Sequence, residues 1–244
     1  MSAELASLVR ASRACVVLTG AGVSTASGIP DFRGDHGLWT RQDAARVASI
    51  EGFYADPRGF YAFWDEHLSG LERAAPNDAH RVVAKLEARG LVHTLITQNV
   101  DGLHGRAGSR DVIEVHGTIA TATCPACGRR ETRERILELL PVPRCDGCGA
   151  VLKPDVVMFG ELLPVAAIDR ATTLAQDAAL LVVVGSSLEV WPVAGLPEET
   201  LMHGGRLAIV NREETPYDVR AALVLHGSAG EILEACVRTM TSSS

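Results

Sequence analysis

The stretch Cys15-Val16-Val17-Leu18-Thr19-Gly20-Ala21-Gly22-Val23-Ser24-Thr25 decides the fold. Cys15–Leu18 is a short apolar run with β-branched residues, the pattern of a strand buried on both faces. It passes without a linker into a glycine-rich turn, which is how a Rossmann-type sheet presents backbone amides to a pyrophosphate. Gly20 and Gly22 fit the first two glycines of G-x-G-x-x-G, but Thr25 holds the third position. No acidic residue closes a second strand about twenty residues on. A tight turn without a ligand therefore stays open as the alternative.

Three more runs of the same kind, Thr94–Thr97, Leu180–Val184 and Leu207–Val210, read as parallel strands. Helical patterns lie between them. Asn77 or Asp78 caps a helix carrying Val82, Val83 and Leu86, and Gly90 ends it. Ser228 and Glu231 form an S-x-x-E capping box before a last helix over residues 229–240. Strands alternating with helices predict an α/β fold with a doubly wound parallel sheet. Two stretches break the alternation. Residues 36–75 hold most of the aromatics and no strand pattern, which suggests a helical insert, and residues 118–155 hold four cysteines.

Those cysteines form two C-x-x-C pairs, Cys124/Cys127 and Cys145/Cys148, with seventeen residues between them. Each pair is followed by a turn glycine. Two tight turns that each present two thiolates are what a tetrahedral structural zinc site needs. Four thiolates leave no open coordination position, so such a metal holds a module together and does no chemistry. Two disulfides are the alternative, and a reducing compartment disfavours them. Cys15 and Cys236 sit in apolar surroundings and read as core residues.

The 244 residues carry a net charge of -7, with acidic and basic residues mixed along the chain, which argues against direct nucleic-acid binding. The longest apolar run, Ala178–Val184, is far too short to span a bilayer. The opening MSAELASLVRAS lacks a basic region followed by a long apolar stretch, so the expectation is a soluble, cytoplasmic protein without a membrane partner.

Polar groups follow several strands, where doubly wound folds bind ligands. Gln98, Asn99 and Asp101 come directly after Thr97 and are costly to bury without polar partners, although a turn rich in hydrogen bonds explains them equally well. Ile113-Glu114-Val115-His116-Gly117 is a short strand ending in a histidine that is either a satisfied core residue or a general base. The other histidines are scattered and read as surface or packing residues. Gly185-Ser186-Ser187 are small enough to let backbone approach a nucleotide.

Together GAGVSTASGIPDFRG, TQNVDGLH, EVHG, the paired cysteines, VVMFGE, GSSLEVWP and the IVN before ETP resemble the sirtuins, NAD-dependent protein lysine deacylases. The match covers nearly the whole chain and is most similar to the thermophilic bacterial deacetylase type. The resemblance implies a Rossmann-like NAD-binding domain over residues 1–35, 76–117 and 156–244. A small domain would combine the insert 36–75 with the zinc module 118–155. NAD as co-substrate would meet Ala21, Thr25, Asp31, Phe32, Arg33, Gln98, Gly185, Ser186, Ser187, Asn211 and Ala229. Asn99, Val100 and Asp101 would line the nicotinamide side. Cys124, Cys127, Cys145 and Cys148 would hold one zinc ion.

The resemblance also implies a mechanism. The acyl oxygen attacks the anomeric carbon as nicotinamide leaves, giving an O-alkylamidate, and His116 draws a proton from a ribose hydroxyl. Asn99 and Asp101 complete the catalytic set. The products are free lysine, nicotinamide and O-acetyl-ADP-ribose. Val157 and Phe159 would flank the acyl-lysine of a partner protein. Gly160, Glu161 and Leu188 would belong to segments that hold its backbone as an added strand. The desuccinylase branch carries Tyr-x-x-Arg, where this chain has Trp64 and His67, which favours acetyl or another neutral acyl group. Transfer of ADP-ribose to a protein acceptor is the alternative activity.

Overall fold

The computed structural model describes residues 2–31 and 48–241, and of residues 66–72 the backbone course only. Strands β1 (Cys15–Thr19), β2 (Thr94–Thr97) and β3 (Val112–Glu114) form one half of a parallel sheet. The chain then builds a second sheet from β4 (Gly117–Thr123), β5 (Arg130–Thr132) and β6 (Lys153–Val156) before returning as β7 (Leu180–Val184), β8 (Arg206–Asn211) and β9 (Leu223–His226). The six-stranded order is β3-β2-β1-β7-β8-β9, all parallel. The expected doubly wound sheet is present. β9 is an addition to the sequence reading, because Leu223-Val224-Leu225 is too short a run to separate from a loop by periodicity.

Alternate residues of each strand feed opposite layers. Val17, Leu95, Val182, Val184 and Val210 face α1 (Ser2–Ala11), α4 (Asp78–Ala88) and α9 (Ala229–Thr241). Val16, Leu18, Ile96, Leu181, Val183 and Ile209 face α7 (Val165–Asp177) and α8 (Leu196–Met202). All five residues of β1 and of β7 are buried, and each buried Val or Leu contributes roughly 1.5–3 kcal/mol. Continuous apolar runs replace alternation here because both faces are covered. Helix α4 starts at Asn77, whose Oδ1 accepts the Ala79 and His80 N–H groups. It ends before Gly90, at φ +68°.

The three-stranded sheet is antiparallel, with order β5-β4-β6. Helices α2 (Ile50–Ala55) and α3 (Pro57–Arg73) pack on it: Phe53, Phe60 and Tyr61 share one cluster with Ala122, Cys124, Ile136, Cys145, Leu152 and Met158. Tyr61 Oη donates to the Leu152 carbonyl at 2.5 Å. The short helices α5 (Leu103–Arg106) and α6 (Arg133–Glu138) complete the described elements. No helix among the described residues is long and apolar enough to cross a membrane.

Candidate active site

The order of strand addition reverses between β1, from which the chain builds outward to β2 and β3, and β7, from which it builds the other way to β8 and β9. Crevices at the carboxyl ends of strands flanking such a switch point are where these sheets hold ligands. The two loops that leave it lie backbone against backbone. Gly20 N–H donates to Val184 O at 3.1 Å, and Gly22 N–H to Gly185 O at 2.9 Å. A Cβ on Gly20 would stand 2.8 Å from Gly185 O, and one on Gly185 would stand 2.7 Å from Gly22 C. Gly185 also has φ +62°. These glycines are required by one another. The chain beyond Gly20 enters 3-10 turns, Ala21–Val23 and Thr25–Ser27, instead of the long helix that a dehydrogenase fingerprint opens. That is why Thr25 can replace the third glycine, with its hydroxyl donating to Gly22 O at 3.1 Å.

Ser24 closes the first turn and is 1% exposed. Its hydroxyl donates to Asp101 Oδ2 at 2.7 Å and accepts from Asn99 Nδ2 at 3.0 Å. His80 Nε2 lies 3.3 Å away. Because Asn77 N–H donates to His80 Nδ1, the ring proton sits on Nε2, and Ser24 accepts from it too. One donor and both lone pairs of the hydroxyl are then used. Burial lowers His80 to about 4 against the pull of the Asp101 charge, so the ring is neutral at pH 7, as this proton arrangement requires. Asp101 Oδ1 accepts the Leu103 N–H at 2.9 Å.

Gln98 ties three strand ends together. Its N–H donates to Thr19 O at 2.9 Å, and its Nε2 donates to Ser186 Oγ at 2.8 Å. Its carbonyl lies 3.0 Å from His116 Nδ1. A carbonyl can only accept, so His116 carries its proton on Nδ1 and keeps a lone pair on Nε2. Burial lowers its pKa below the ordinary 6.5, partly offset by the Gln98 bond. The His116 carbonyl accepts the Val157 N–H at 2.9 Å. Gly117, at φ +78°, has no room for a Cβ against the Asp155 carbonyl oxygen, where β4 crosses β6.

The loop after β6 carries Val157, half-buried, and Phe159, 49% exposed. Phe159 N–H donates to Ala48 O at 3.0 Å and its carbonyl accepts Ile50 N–H at 2.9 Å. Glu161 turns inward: its carboxylate accepts the Met158 N–H and pairs with Lys153, both at 2.9 Å. Leu188, at φ +55°, inserts its side chain into the core. Asn211 ends β8, where Gly227 N–H donates to Asn211 O at 3.1 Å, and Ala229 opens α9 just after β9. Asp31 closes the first described segment, and Phe32 and Arg33 lie outside the described residues.

The four paired cysteines converge. Cys124 Sγ is 3.4 Å from Cys148 Sγ, and Cys127 Sγ is 3.5 Å from Cys145 Sγ; all four sulfurs lie within 4.8 Å of one another. A zinc–thiolate tetrahedron with arms of about 2.3 Å has edges of about 3.8 Å. Both turns have one shape. Cys124 N–H donates to Arg129 O and Gly128 N–H to Cys124 O, and Cys145 and Gly149 repeat the pair. Gly128 and Gly149 sit at φ +74° and +76°. Burial raises the Cys124 thiol, but the N–H groups of Cys127 and Ala126 outweigh it and bring it to about 6. The Ala150 N–H lowers Cys148, but its sulfur neighbours and burial push it up to about 12. Sulfurs this close cannot all ionise without a cation, and the donor set fits zinc.

Residues 20–192 match the model of the Sir2 family. The chain is 46% identical over 223 residues to the NAD-dependent protein deacetylase of Thermotoga maritima, covering 90% of each chain. It is 45% identical to NAD-dependent protein deacetylase 1 of Geobacillus kaustophilus, covering 94% of each. The chain belongs to the Sir2 family. Among solved structures, a Sir2 with a deacetylated p53 peptide and 3′-O-acetyl-ADP-ribose superposes with a TM-score of 0.93 at 43% identity, over 96% of each chain. A Sir2 with p53 peptide and NAD+ gives 0.91 at 43%, over 100% of this chain and 98% of that one.

In this Sir2 chain the structure brings Gln98, Asn99, Asp101, Ser186 and His116 to one sheet edge. The sequence reading missed Ser24, Asn77 and His80. His80 and His104 are 0% and 2% exposed, so of the two readings, surface or packing, they take the buried one, and they also hydrogen-bond inside the polar network. The available signal was the capping spacing Asn77-x-x-His80, in which the imidazole takes the place of the usual Glu.

Proposed function

We propose that this Sir2 chain is an NAD-dependent protein lysine deacetylase, which releases nicotinamide and transfers the acetyl group to ADP-ribose. The observation that carries the reading is His116. It is neutral near pH 7, with Nδ1 held by Gln98 and Nε2 left as a base at the carboxyl edge of the sheet. When bound, NAD supplies the electrophilic anomeric carbon and the acceptor ribose. His116 Nε2 takes a proton from a ribose hydroxyl, and Ser24 holds Asn99 and Asp101 on the nicotinamide side. Gly20, Gly22 and Gly185 let the backbone approach the phosphates. The backbone of the 157–161 and 188–189 segments pairs with the acetyl-lysine peptide. The zinc ion is structural.

Residues 1–35, 76–117 and 156–244 form the NAD-binding domain in this reading. Residues 36–75 and 118–155 form the small one, supported by the cluster that Phe53 and Phe60 share with Cys124 and Cys145. The protein works in the cytoplasm on acetyl-lysine-bearing proteins. His67 offers no guanidinium to a succinyl carboxylate, so a neutral acyl group is preferred. Incubating the enzyme with NAD and acetyl-lysine peptide should yield nicotinamide and O-acetyl-ADP-ribose in equal amounts. The kcat/KM should exceed that for succinyl-lysine by about a hundredfold. His116→Ala should lose at least about a hundredfold in turnover while still binding NAD. ADP-ribosylated peptide as the main product, or near-normal turnover in that variant, would overturn the reading.

A further inference from the structure

One side of Asp101 is taken up by Ser24 and Leu103. The other side opens on a cavity of about 230 Å³ whose lining includes His104, Ser109, Arg110 and Glu114. His104 Nε2 lies 3.0 Å from Thr19 Oγ1, whose proton goes to Thr97 Oγ1, so Nε2 donates and Nδ1 carries the lone pair. That Nδ1 and Ser109 Oγ are buried without a hydrogen-bond partner among the described residues. Polar atoms left over in a polar space of this size are partners for water. Glu114 stands beside Thr97 in the β2–β3 register. It is half-buried, and burial together with the Asp101 charge raises it to about 6.

We propose that Glu114 is a further specificity-determining residue: across this chamber its carboxylate adds a second negative charge behind Asp101 and favours the cationic nicotinamide ring of oxidised NAD. The inference rests on the reading that nicotinamide lies against Asn99–Asp101. The remaining groups around Glu114 do not cancel the pair. Burial lowers His104 on α5 to about 3, so it is neutral, and His116 beyond β3 is held below its ordinary pKa. Among the described residues Arg110 is the one Lys or Arg on the chamber lining, but it is exposed and its charge is screened by solvent, and Arg170 on α7 is occupied by Asp111 at 2.7 Å. Above pH 7 the Glu114 carboxylate is ionised, and its charge adds to that of Asp101 on the same chamber.

Calorimetric titration of the wild type and Glu114→Gln with NAD+ and with ADP-ribose, which lacks the cationic ring, tests the assignment. At pH 7.5 the variant should bind NAD+ about three- to tenfold more weakly and ADP-ribose as the wild type does. The NAD+ gap should narrow at pH 5.5, where wild-type Glu114 is largely protonated. Glu114→Asp, which keeps the charge, should restore NAD+ affinity, an outcome that damage to the fold would not give. Unchanged NAD+ affinity in Glu114→Gln, an equal loss for ADP-ribose, or the same gap at both pH values would overturn the inference alone. A wild-type chain that binds no NAD+ would overturn the underlying reading with it.

Discussion

The two sheets of this molecule are held together by different means. The six-stranded sheet buries both faces under helices, and its loops at the switch point are joined by backbone hydrogen bonds that Gly20 and Gly22 donate. The three-stranded sheet has one modest cluster, Phe53, Phe60, Tyr61 and Leu152 among its members, into which Cys124 and Cys145 are themselves built. The large sheet follows from apolar burial and glycine geometry. The small one depends on four sulfurs that repel as anions until a cation joins them.

Removing one sulfur tests the dependence most severely. Cys145→Ala should lose stoichiometric zinc and cooperative folding of the small sheet together, because metal binding and folding share one free energy. Zinc content by mass spectrometry and near-ultraviolet circular dichroism would check it. A zinc-free variant with the native spectrum would break the contrast. A milder loss is expected at the switch point. Gly185→Ala should retain zinc but destabilise the main sheet by about 3 kcal/mol or more, from the left-handed φ and the collision with Gly22. Denaturant unfolding measures that cost, and a change under 1 kcal/mol would show that the two loops can separate freely.

The smallest of these effects is one of pH. Unfolded, His80 and His104 take up protons near the ordinary 6.5; folded, they do so only at about 4 and about 3. Between those values the unfolded chain holds more protons, so stability present above pH 6.5 is lost as pH falls. Glu114 works the other way, since its folded value of about 6 lies above the unfolded one, but it is partly exposed and offsets less. The net loss from pH 7 to pH 5 should be about 3 kcal/mol. His104→Gln should remove roughly half of the slope, and an identical slope in that variant would remove His104 from the account.

What the sequence makes legible ends where local pattern ends. β1, β2, β7 and β8 are visible because burial on both faces leaves continuous apolar runs. The zinc site is visible because its ligands come in local pairs. Ser24 is not. Its importance arises from Asn99, Asp101 and His80 converging on one hydroxyl from about 55 to 75 residues away in sequence, and no local pattern records such a meeting. The positions of His104 and Glu114 are hidden for the same reason, since a cavity belongs to three elements at once.

The contact of Gly20 and Gly22 with Gly185 has a consequence for directed evolution of the switch-point crevice. Because Gly22 and Gly185 meet only each other's backbone and that of Val23, there is nothing to swap there for a compensating shape, so single-site libraries at these positions should yield few active clones. Diversity has to enter through neighbours that present side chains, such as Thr25 and Ser187. Gly185 lies far along the chain from Gly20 and Gly22, yet a substitution at any of the three would be constrained by the backbone of the facing loop.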